Sequence, residues 1–172
     1  MREQNKNIIG QETFGVPAVQ LSGGAKEDGM ITRTARARYQ GMGRDGEGWV
    51  STQSGVLSEQ RYGFGTRFEN EPGTNPEELI AAAHAGCFTM ALSFALAKEG
   101  MTEGTLETEA RVTLEKEGEG FRISRSDLTL EANVPLEEER LRELAETAKA
   151  NCPVSKLLNA EMALEVRVRQ AA

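Results

Sequence analysis

The sequence is poor in residues that several classes of protein require. Lys and Arg number 20 against 27 Asp and Glu, which gives a formal net charge of −7, and aromatic residues make up 5% of the chain. Nucleic-acid binding needs a cationic surface, and single strands also need aromatic stacking platforms. No cluster of Lys or Arg suggests binding to anionic lipid. We therefore expect neither nucleic acid nor a membrane as a partner.

Cysteine is scarce as well. The chain has two, Cys87 and Cys152, which stand 65 positions apart without a CxxC motif. This count excludes a disulfide framework. Near the start, only Ile8 and Ile9 could form an apolar centre, which is too short for a signal peptide. We therefore expect a cytoplasmic protein whose thiols are reduced or take part in redox chemistry.

One uncharged run, residues 79–97, reaches the length of a membrane span with 19 residues. Seven of them are alanine, and a glycine, a histidine, a threonine and a serine dilute the apolar character. A helix that is apolar on all sides can equally be the buried centre of a soluble protein. The run therefore predicts a core helix.

This helix has clear boundary signals. Asn75 fits the N-cap, Pro76 the first helical position, and Glu78 the third position, where a capping-box acid belongs. Gly100 is expected to end the helix.

The other elements follow from apolar periodicity. It predicts strands at 31–39, 49–57, 105–117, 121–134 and 162–169, and helices at 136–150 and after Pro153. The apolar phase slips between Ile123 and Leu128, which indicates a β-bulge. The order ββ–α–ββ–αα–β predicts an α+β fold with mostly antiparallel strands. We expect one domain over residues 30–172, with residues 1–29 as an N-terminal extension and a candidate flexible segment.

Cys87 has three interpretations from the residues alone. It lies in HAGCFTMALS, one turn after His84, the only histidine. It could be a small core residue, a metal ligand or a nucleophile. A structural zinc usually takes four Cys or His ligands, and the chain has three such residues in total, so we predict no metal site. His84 is expected to pack or to support neighbouring residues. Cys152 precedes Pro153 at a predicted helix start, where backbone N–H groups favour a thiolate.

Two segments then resemble a known family. They are YGFGTRFENEPGTNPEELIAAAHAGCFTMALSFAL (62–96) and KANCPVSKLLNAEMAL (149–164), and the likeness spans roughly residues 31–169. They resemble the OsmC/Ohr family of cysteine-based peroxidases, and the OsmC branch more closely than the Ohr branch. The resemblance implies a two-layer α+β fold in which mostly antiparallel sheets pack on a long central helix that carries the cysteine. It also implies an intertwined homodimer.

The resemblance implies a function too. The protein would be a thiol-dependent antioxidant peroxidase of the stress response that reduces organic hydroperoxides without metal or other cofactor. A cysteine sulfenate and an intramolecular disulfide would form, and a dithiol such as a lipoylated protein would reduce the disulfide. An alternative is a non-catalytic protein of the same fold that binds a hydrophobic ligand.

Site residues follow from matching the motifs. Cys87 matches the peroxidatic cysteine and Cys152 the resolving cysteine. A free thiol is only a few per cent thiolate at neutral pH, and burial makes this worse, so a cation must sit beside Cys87. Arg67 matches that cation, and Glu77 matches the acid that orients it, although an acid in a first helical turn commonly just complements the dipole. Arg44 is the alternative cation, as in the Ohr branch.

Helix geometry adds a prediction about assembly. Glu77 and Cys87 stand ten residues apart on one helix, a rise of about 15 Å. One arginine cannot readily reach both. Two such helices, antiparallel across a two-fold axis, would bring Glu77 of one chain near Cys87 of the other. We therefore predict a composite site at the dimer interface, with Arg67 and Glu77 supplied by the opposite subunit.

A substrate pocket is a weaker inference. Four side chains near the motifs are candidates to line it: Phe88, Met90, Phe64 and Tyr62. Phe and Met at helical spacing also suit an ordinary core, so both interpretations stay open.

Overall fold

The computed structural model describes residues 30–169. The predicted N-terminal extension, residues 1–29, lies outside the described residues. Within the described part, the elements are β1 (Ala35–Gln40), β2 (Glu47–Thr52), β3 (Gln60–Gly63), α1 (Phe64–Phe68), α2 (Pro76–Lys98), β4 (Thr105–Glu117), β5 (Gly120–Asn133), α3 (Glu138–Asn151), α4 (Pro153–Leu157) and β6 (Leu164–Val168). The predicted α+β class is confirmed.

The strands form two three-stranded sheets. β1, β2 and β3 are antiparallel neighbours in sequence order. β4 and β5 form a long antiparallel hairpin, and β6 pairs with β5 in parallel. The parallel pairing follows from the connection, because α3 and α4 lie between β5 and β6 and return the chain to the same end of the sheet.

Two short elements differ from the sequence predictions. β3 has four residues and α1 has five, too few to show a hydrophobic period, and neither was predicted. The first strand begins at Ala35 rather than at residue 31. Arg67 therefore lies on a helix, α1.

The predicted start of α2 is confirmed. Its first residue is Pro76, and the Glu78 N–H donates to the Asn75 side-chain oxygen at 2.9 Å. The Glu78 carboxylate accepts a hydrogen bond from the Thr74 hydroxyl at 2.8 Å. In the predicted capping box it would instead accept from the backbone N–H of Asn75. Gly100, in the left-handed region at φ 86°, follows the end of the helix as expected.

α2 has two apolar faces. One is buried against β4, β5 and α3 and carries four residues at four-residue spacing: His84, Phe88, Leu92 and Leu96. On the opposite face Met90 is 59% exposed and Phe94 is 63% exposed. By length and composition α2 could cross a membrane, a test that the core helix of a soluble protein also passes. The helix thus packs on one side and leaves an apolar surface on the other.

The sheet of β1, β2 and β3 is also poorly covered. All six residues of β1 are exposed. A small sheet needs an apolar layer against it to be stable. In the described residues this sheet therefore keeps an uncovered surface.

β5 contains the predicted bulge. Its register with β4 shifts between Thr113 and Leu114, which pair with Arg125 and Ile123 and leave Ser124 as the extra residue. This position lies within the predicted phase slip.

Candidate active site

Cys87 and Cys152 lie in direct contact. Cys87 is near the middle of α2, and Cys152 is the N-cap residue of α4. Because α3 and α4 pack against α2, the two sulfur atoms come within 2.7 Å of each other, as free thiols. A disulfide bond is about 2.05 Å long. The fold therefore places the two thiols so that they can be joined without moving a helix.

The two thiols differ in access. Cys152 is fully buried, whereas Cys87 is partly exposed. A molecule arriving from solvent therefore meets the Cys87 sulfur first.

The pKa of Cys87 is raised within one protomer. Burial raises it, and the contact with the Cys152 thiol raises it further. The backbone N–H of Val154 acts in the opposite direction without outweighing them. In residues 30–169 no Arg or Lys is among the groups that shift this pKa. Within residues 30–169, Cys87 therefore has no neighbouring cation that lowers its pKa.

The pKa of Cys152 is lowered. Burial acts to raise it, but hydrogen bonds with Cys87, with the backbone and hydroxyl of Ser155 and with the Val154 N–H together outweigh burial. The predicted position at a helix start is confirmed. The chain's own backbone and Ser155 thus favour the Cys152 thiolate.

Arg67 and Glu77 form a second pair. Arg67 on α1 donates two hydrogen bonds to the Glu77 carboxylate, at 3.0 Å from Nε and 2.5 Å from Nη2. The Glu77 side chain is 13% exposed and that of Arg67 is 32% exposed. This bidentate geometry fixes the plane of the guanidinium. Glu77 is the second residue of α2, and with ten residues to Cys87 the rise is about 15 Å. One protomer therefore holds the four predicted residues as two separate pairs.

Arg44 has a different environment. Its guanidinium pairs with Glu69 and lies 4.6 Å from the centre of the Phe64 ring. Of the two candidate cations, Arg67 contacts Glu77 and Arg44 contacts Glu69.

The structure divides the four pocket candidates. Tyr62 and Phe64 line a cleft of about 220 Å³ together with Arg67. Met90 lies on the exposed face of α2. Phe88 is fully buried in the core cluster and points inward with the four-residue stripe of α2, which favours the alternative of an ordinary core residue.

His84, one turn before Cys87 on α2, is fully buried. Its Nδ1 is 2.7 Å from the Ser126 Oγ, and its Nε2 is 2.9 Å from the Ser155 Oγ. Sequence reasoning predicted a supporting role but missed both serines, which are 42 and 71 positions away. A serine at an inward position of an apolar strand, as Ser126 is, was the available signal. Residues 30–169 contain no group of three or more His, Cys, Asp or Glu side chains suited to a metal ion.

Burial of His84 predicts a pH dependence of stability. Burial lowers its pKa from the ordinary value of 6.5. As pH falls below 6.5 the unfolded chain binds a proton before the folded protein does, so the free energy of unfolding should decrease until the folded pKa is passed. Urea unfolding at fixed protein concentration, from neutral to mildly acidic pH, measures this. His84→Gln should remove this component and keep the acid-induced loss that comes from Asp127 and Glu99, whose pKa values are lowered by Arg125 and Arg140. An equal decline in both proteins would contradict the assignment.

Comparison with known proteins gives consistent matches. Residues 68–167 match the family described as OsmC-like protein, a segment that contains Glu77, Cys87 and Cys152 and begins one residue after Arg67. The chain is similar to the peroxiredoxin OsmC of Escherichia coli, with 46% identity over 140 residues that cover 81% of this chain and 98% of that protein. It is 36% identical over 143 residues to the organic hydroperoxide resistance protein OhrB of Bacillus subtilis, covering 80% of this chain and 100% of that one.

A solved structure of a similar protein has the same fold. The crystal structure of OhrB of Bacillus subtilis aligns with a TM-score of 0.61 and 31% identity, covering 80% of this chain and 98% of that chain. The α+β architecture with two small sheets around a long helix is thus shared.

Proposed function

The chain belongs to the OsmC-like protein family, and on that basis we propose that it is a cysteine-based peroxidase that reduces organic hydroperoxides to alcohols. The observation that carries the proposal is the 2.7 Å contact between the sulfurs of Cys87 and Cys152. Two similar proteins are named for this chemistry, one a peroxiredoxin and the other an organic hydroperoxide resistance protein. In this proposal the enzyme is cytoplasmic and protects against oxidative stress.

The first step takes place at Cys87, the more accessible thiol. Its thiolate attacks the terminal oxygen of the hydroperoxide, so that a sulfur–oxygen bond forms and the oxygen–oxygen bond breaks. The alkoxide leaves with a proton as the alcohol, and Cys87 becomes a sulfenic acid. An arginine beside the reacting atoms stabilises both the thiolate and the charge that develops on oxygen.

The second step uses Cys152. Its sulfur attacks the Cys87 sulfenic acid, which forms the disulfide and releases water. The contact between the two sulfurs supports this step because no large movement is needed. A dithiol, for which a lipoyl group is the candidate, then restores both thiols by exchange and leaves as its own disulfide.

The site in this proposal is shared by two protomers. Two exposed surfaces support a homodimer: the outer face of α2 with Met90 and Phe94, and the uncovered sheet of β1, β2 and β3. Ala83 and Gly86 lie on the same outer face of α2 and would let two such helices approach closely.

The electrostatics of the site also support sharing. Among residues 30–169 no cation lowers the pKa of Cys87, while Glu77 of the bidentate Arg67–Glu77 pair stands about 15 Å along the same helix. An antiparallel partner helix would bring the pair of one protomer to Cys87 of the other. Tyr62 and Phe64, which line the cleft beside Arg67, would then face the substrate.

A peroxidase assay tests the proposed function. With dihydrolipoamide as reductant and EDTA present, the purified protein should consume cumene hydroperoxide continuously. Without the dithiol, about one equivalent per subunit should be consumed and the protein mass should fall by two hydrogens as the disulfide forms. Catalytic turnover that requires an added metal, or no consumption at all, would contradict the proposal. The second result is the one expected of a non-catalytic ligand-binding protein.

A further inference from the structure

We propose that His84 and Ser155 are positioning residues for Cys152: a buried hydrogen-bonded chain running Ser126–His84–Ser155 aims the Ser155 hydroxyl at the Cys152 sulfur and stabilises its thiolate. The role of Cys152 as the resolving residue rests on the proposed function, but the acidity of its thiol does not. The inference therefore concerns the chain's own residues and can be tested without a peroxide.

The geometry comes from three separate elements. His84 on α2, Ser126 on β5 and Ser155 on α4 are all buried, and both ring nitrogens of His84 have a hydroxyl partner, at 2.7 Å and 2.9 Å. Ser155 is the third residue of α4, whose N-cap residue is Cys152, and both residues are buried. The Ser155 hydroxyl is among the groups that lower the pKa of Cys152. A hydrogen bond to the charged form of a thiol favours ionisation.

The number of donors and acceptors on each side chain fixes which atom donates in each hydrogen bond from Ser126 to Ser155. If the Ser155 hydroxyl donates its only hydrogen to the Cys152 thiolate, its oxygen can only accept from His84. Nε2 of His84 must then carry the hydrogen, which leaves Nδ1 to accept from the Ser126 hydroxyl. The arrangement therefore requires the neutral His84 tautomer that is protonated at Nε2.

The charged side chains nearest in sequence to Ser126 and Ser155 are paired elsewhere or exposed. On β5, the residues on either side of Ser126, Arg125 and Asp127, pair with each other on the outward face of the sheet. On α4, Lys156 is exposed, and on α3, Lys149 pairs with Glu146. In residues 30–169 no charged side chain is among the groups that shift the pKa of His84 or of Cys152.

His84 orients the Ser155 hydroxyl and does not accept the proton of the Cys152 thiol. Burial lowers the pKa of His84, and a buried imidazolium would lack a compensating carboxylate. In the resolving step the Cys152 thiolate forms the sulfur–sulfur bond as the sulfur–oxygen bond of the Cys87 sulfenic acid breaks. The hydroxide that leaves takes a proton from solvent, which balances the proton that Cys152 released when it ionised. The two cysteines are thus activated differently: Cys152 by hydrogen bonds from its own chain, and Cys87 by the cation of the partner.

The test measures the titration of Cys152 directly. In a Cys87→Ser background, the ultraviolet absorbance of the thiolate is followed against pH. Ser155→Ala should raise the midpoint by about one pH unit, a tenfold loss of thiolate below the midpoint. The matched control is Ser124→Ala, because Ser124 is buried on the same strand as Ser126 and its hydroxyl has no hydrogen-bond partner in the described chain. This control should not move the midpoint.

Two substitutions of His84 separate positioning from packing. His84→Leu should raise the Cys152 midpoint as Ser155→Ala does. His84→Gln, which keeps a donor and an acceptor, should leave the midpoint close to that of the protein with His84. With Cys87 present, disulfide formation at neutral pH should slow about threefold in Ser155→Ala, because higher intrinsic nucleophilicity offsets part of the tenfold loss of thiolate. The rate of sulfenate formation at Cys87 should not change.

Nitrogen NMR of the single histidine gives an independent reading. The reduced protein should show the neutral tautomer with hydrogen on Nε2. The proposal would be overturned if the Cys152 midpoint did not shift in folded Ser155→Ala, or if the His84 ring carried its hydrogen on Nδ1 alone. If His84→Leu does not fold, the Ser155→Ala result decides. A protein that shows the shifted midpoint but consumes no hydroperoxide would refute the proposed function and leave this inference intact.

Discussion

Replacing Cys87 with serine is expected to lower kcat/KM for organic hydroperoxides by at least about 10⁴-fold, the scale of losing a catalytic nucleophile. The serine hydroxyl does not ionise near neutral pH, so it cannot attack the peroxide oxygen. The substitution is nearly isosteric at a partly exposed position, so the fold should be retained. Stopped-flow consumption of cumene hydroperoxide, with circular dichroism as a check on folding, measures the effect.

Cys152→Ser is the matched control because the two sulfurs are in contact. Its first oxidation should proceed at nearly the rate of the unaltered protein, after which a Cys87 sulfenic acid accumulates and can be trapped with dimedone. Two properties of the structure favour opposite assignments of the peroxidatic cysteine. The pKa of Cys152 is the lowered one, but Cys152 is fully buried, whereas Cys87 is accessible. Fast oxidation of the Cys87→Ser protein would reverse the two roles.

The sequence predicts those parts of the fold that depend on interactions between residues close together in the chain. The cap of α2 at Asn75 requires only a side chain and an N–H three residues away, and the bulge near Ser124 shifts the apolar alternation within one strand. Both are therefore visible in the sequence. The boundaries of β3 and α1 are not, since these short elements are fixed by their pairing with β2 and by the contacts of Phe68.

The candidate site was only partly predictable, for a similar reason. The motif match indicated both cysteines, Arg67 and Glu77, and the structure places them as two pairs. The partners of His84 come from residues distant in sequence, and no local pattern indicates which serine meets which ring nitrogen. The inward position of Phe88 follows from the burial of a particular face of α2, which its nearly uniform apolarity conceals.

Arg67→Met is expected to lower kcat/KM by about 10²- to 10³-fold, the scale of removing one donor that stabilises developing charge. The change keeps an unbranched apolar stem and removes the charged guanidinium that Glu77 orients. Arg44→Met is the matched control, because Arg44 is 67% exposed and pairs with Glu69; its activity should stay near that of the unaltered protein. The reverse ranking would assign the activating cation to Arg44.

Mixing two inactive variants shows which subunit supplies the arginine. In a dimer of one Cys87→Ser chain and one Arg67→Met chain, a shared site restores Cys87 of the second chain beside Arg67 of the first, and the other site loses both residues. Random reassembly of equal amounts makes half of the dimers mixed, each with one intact site of two, so activity should recover to about one quarter of the unaltered protein. If Arg67 served Cys87 of its own chain, no intact site would form and the mixture would stay as inactive as its parents. Recovery on mixing thus requires that the Arg67–Glu77 pair of one chain act on Cys87 of the other, as we infer from the rise of about 15 Å between Glu77 and Cys87 along α2.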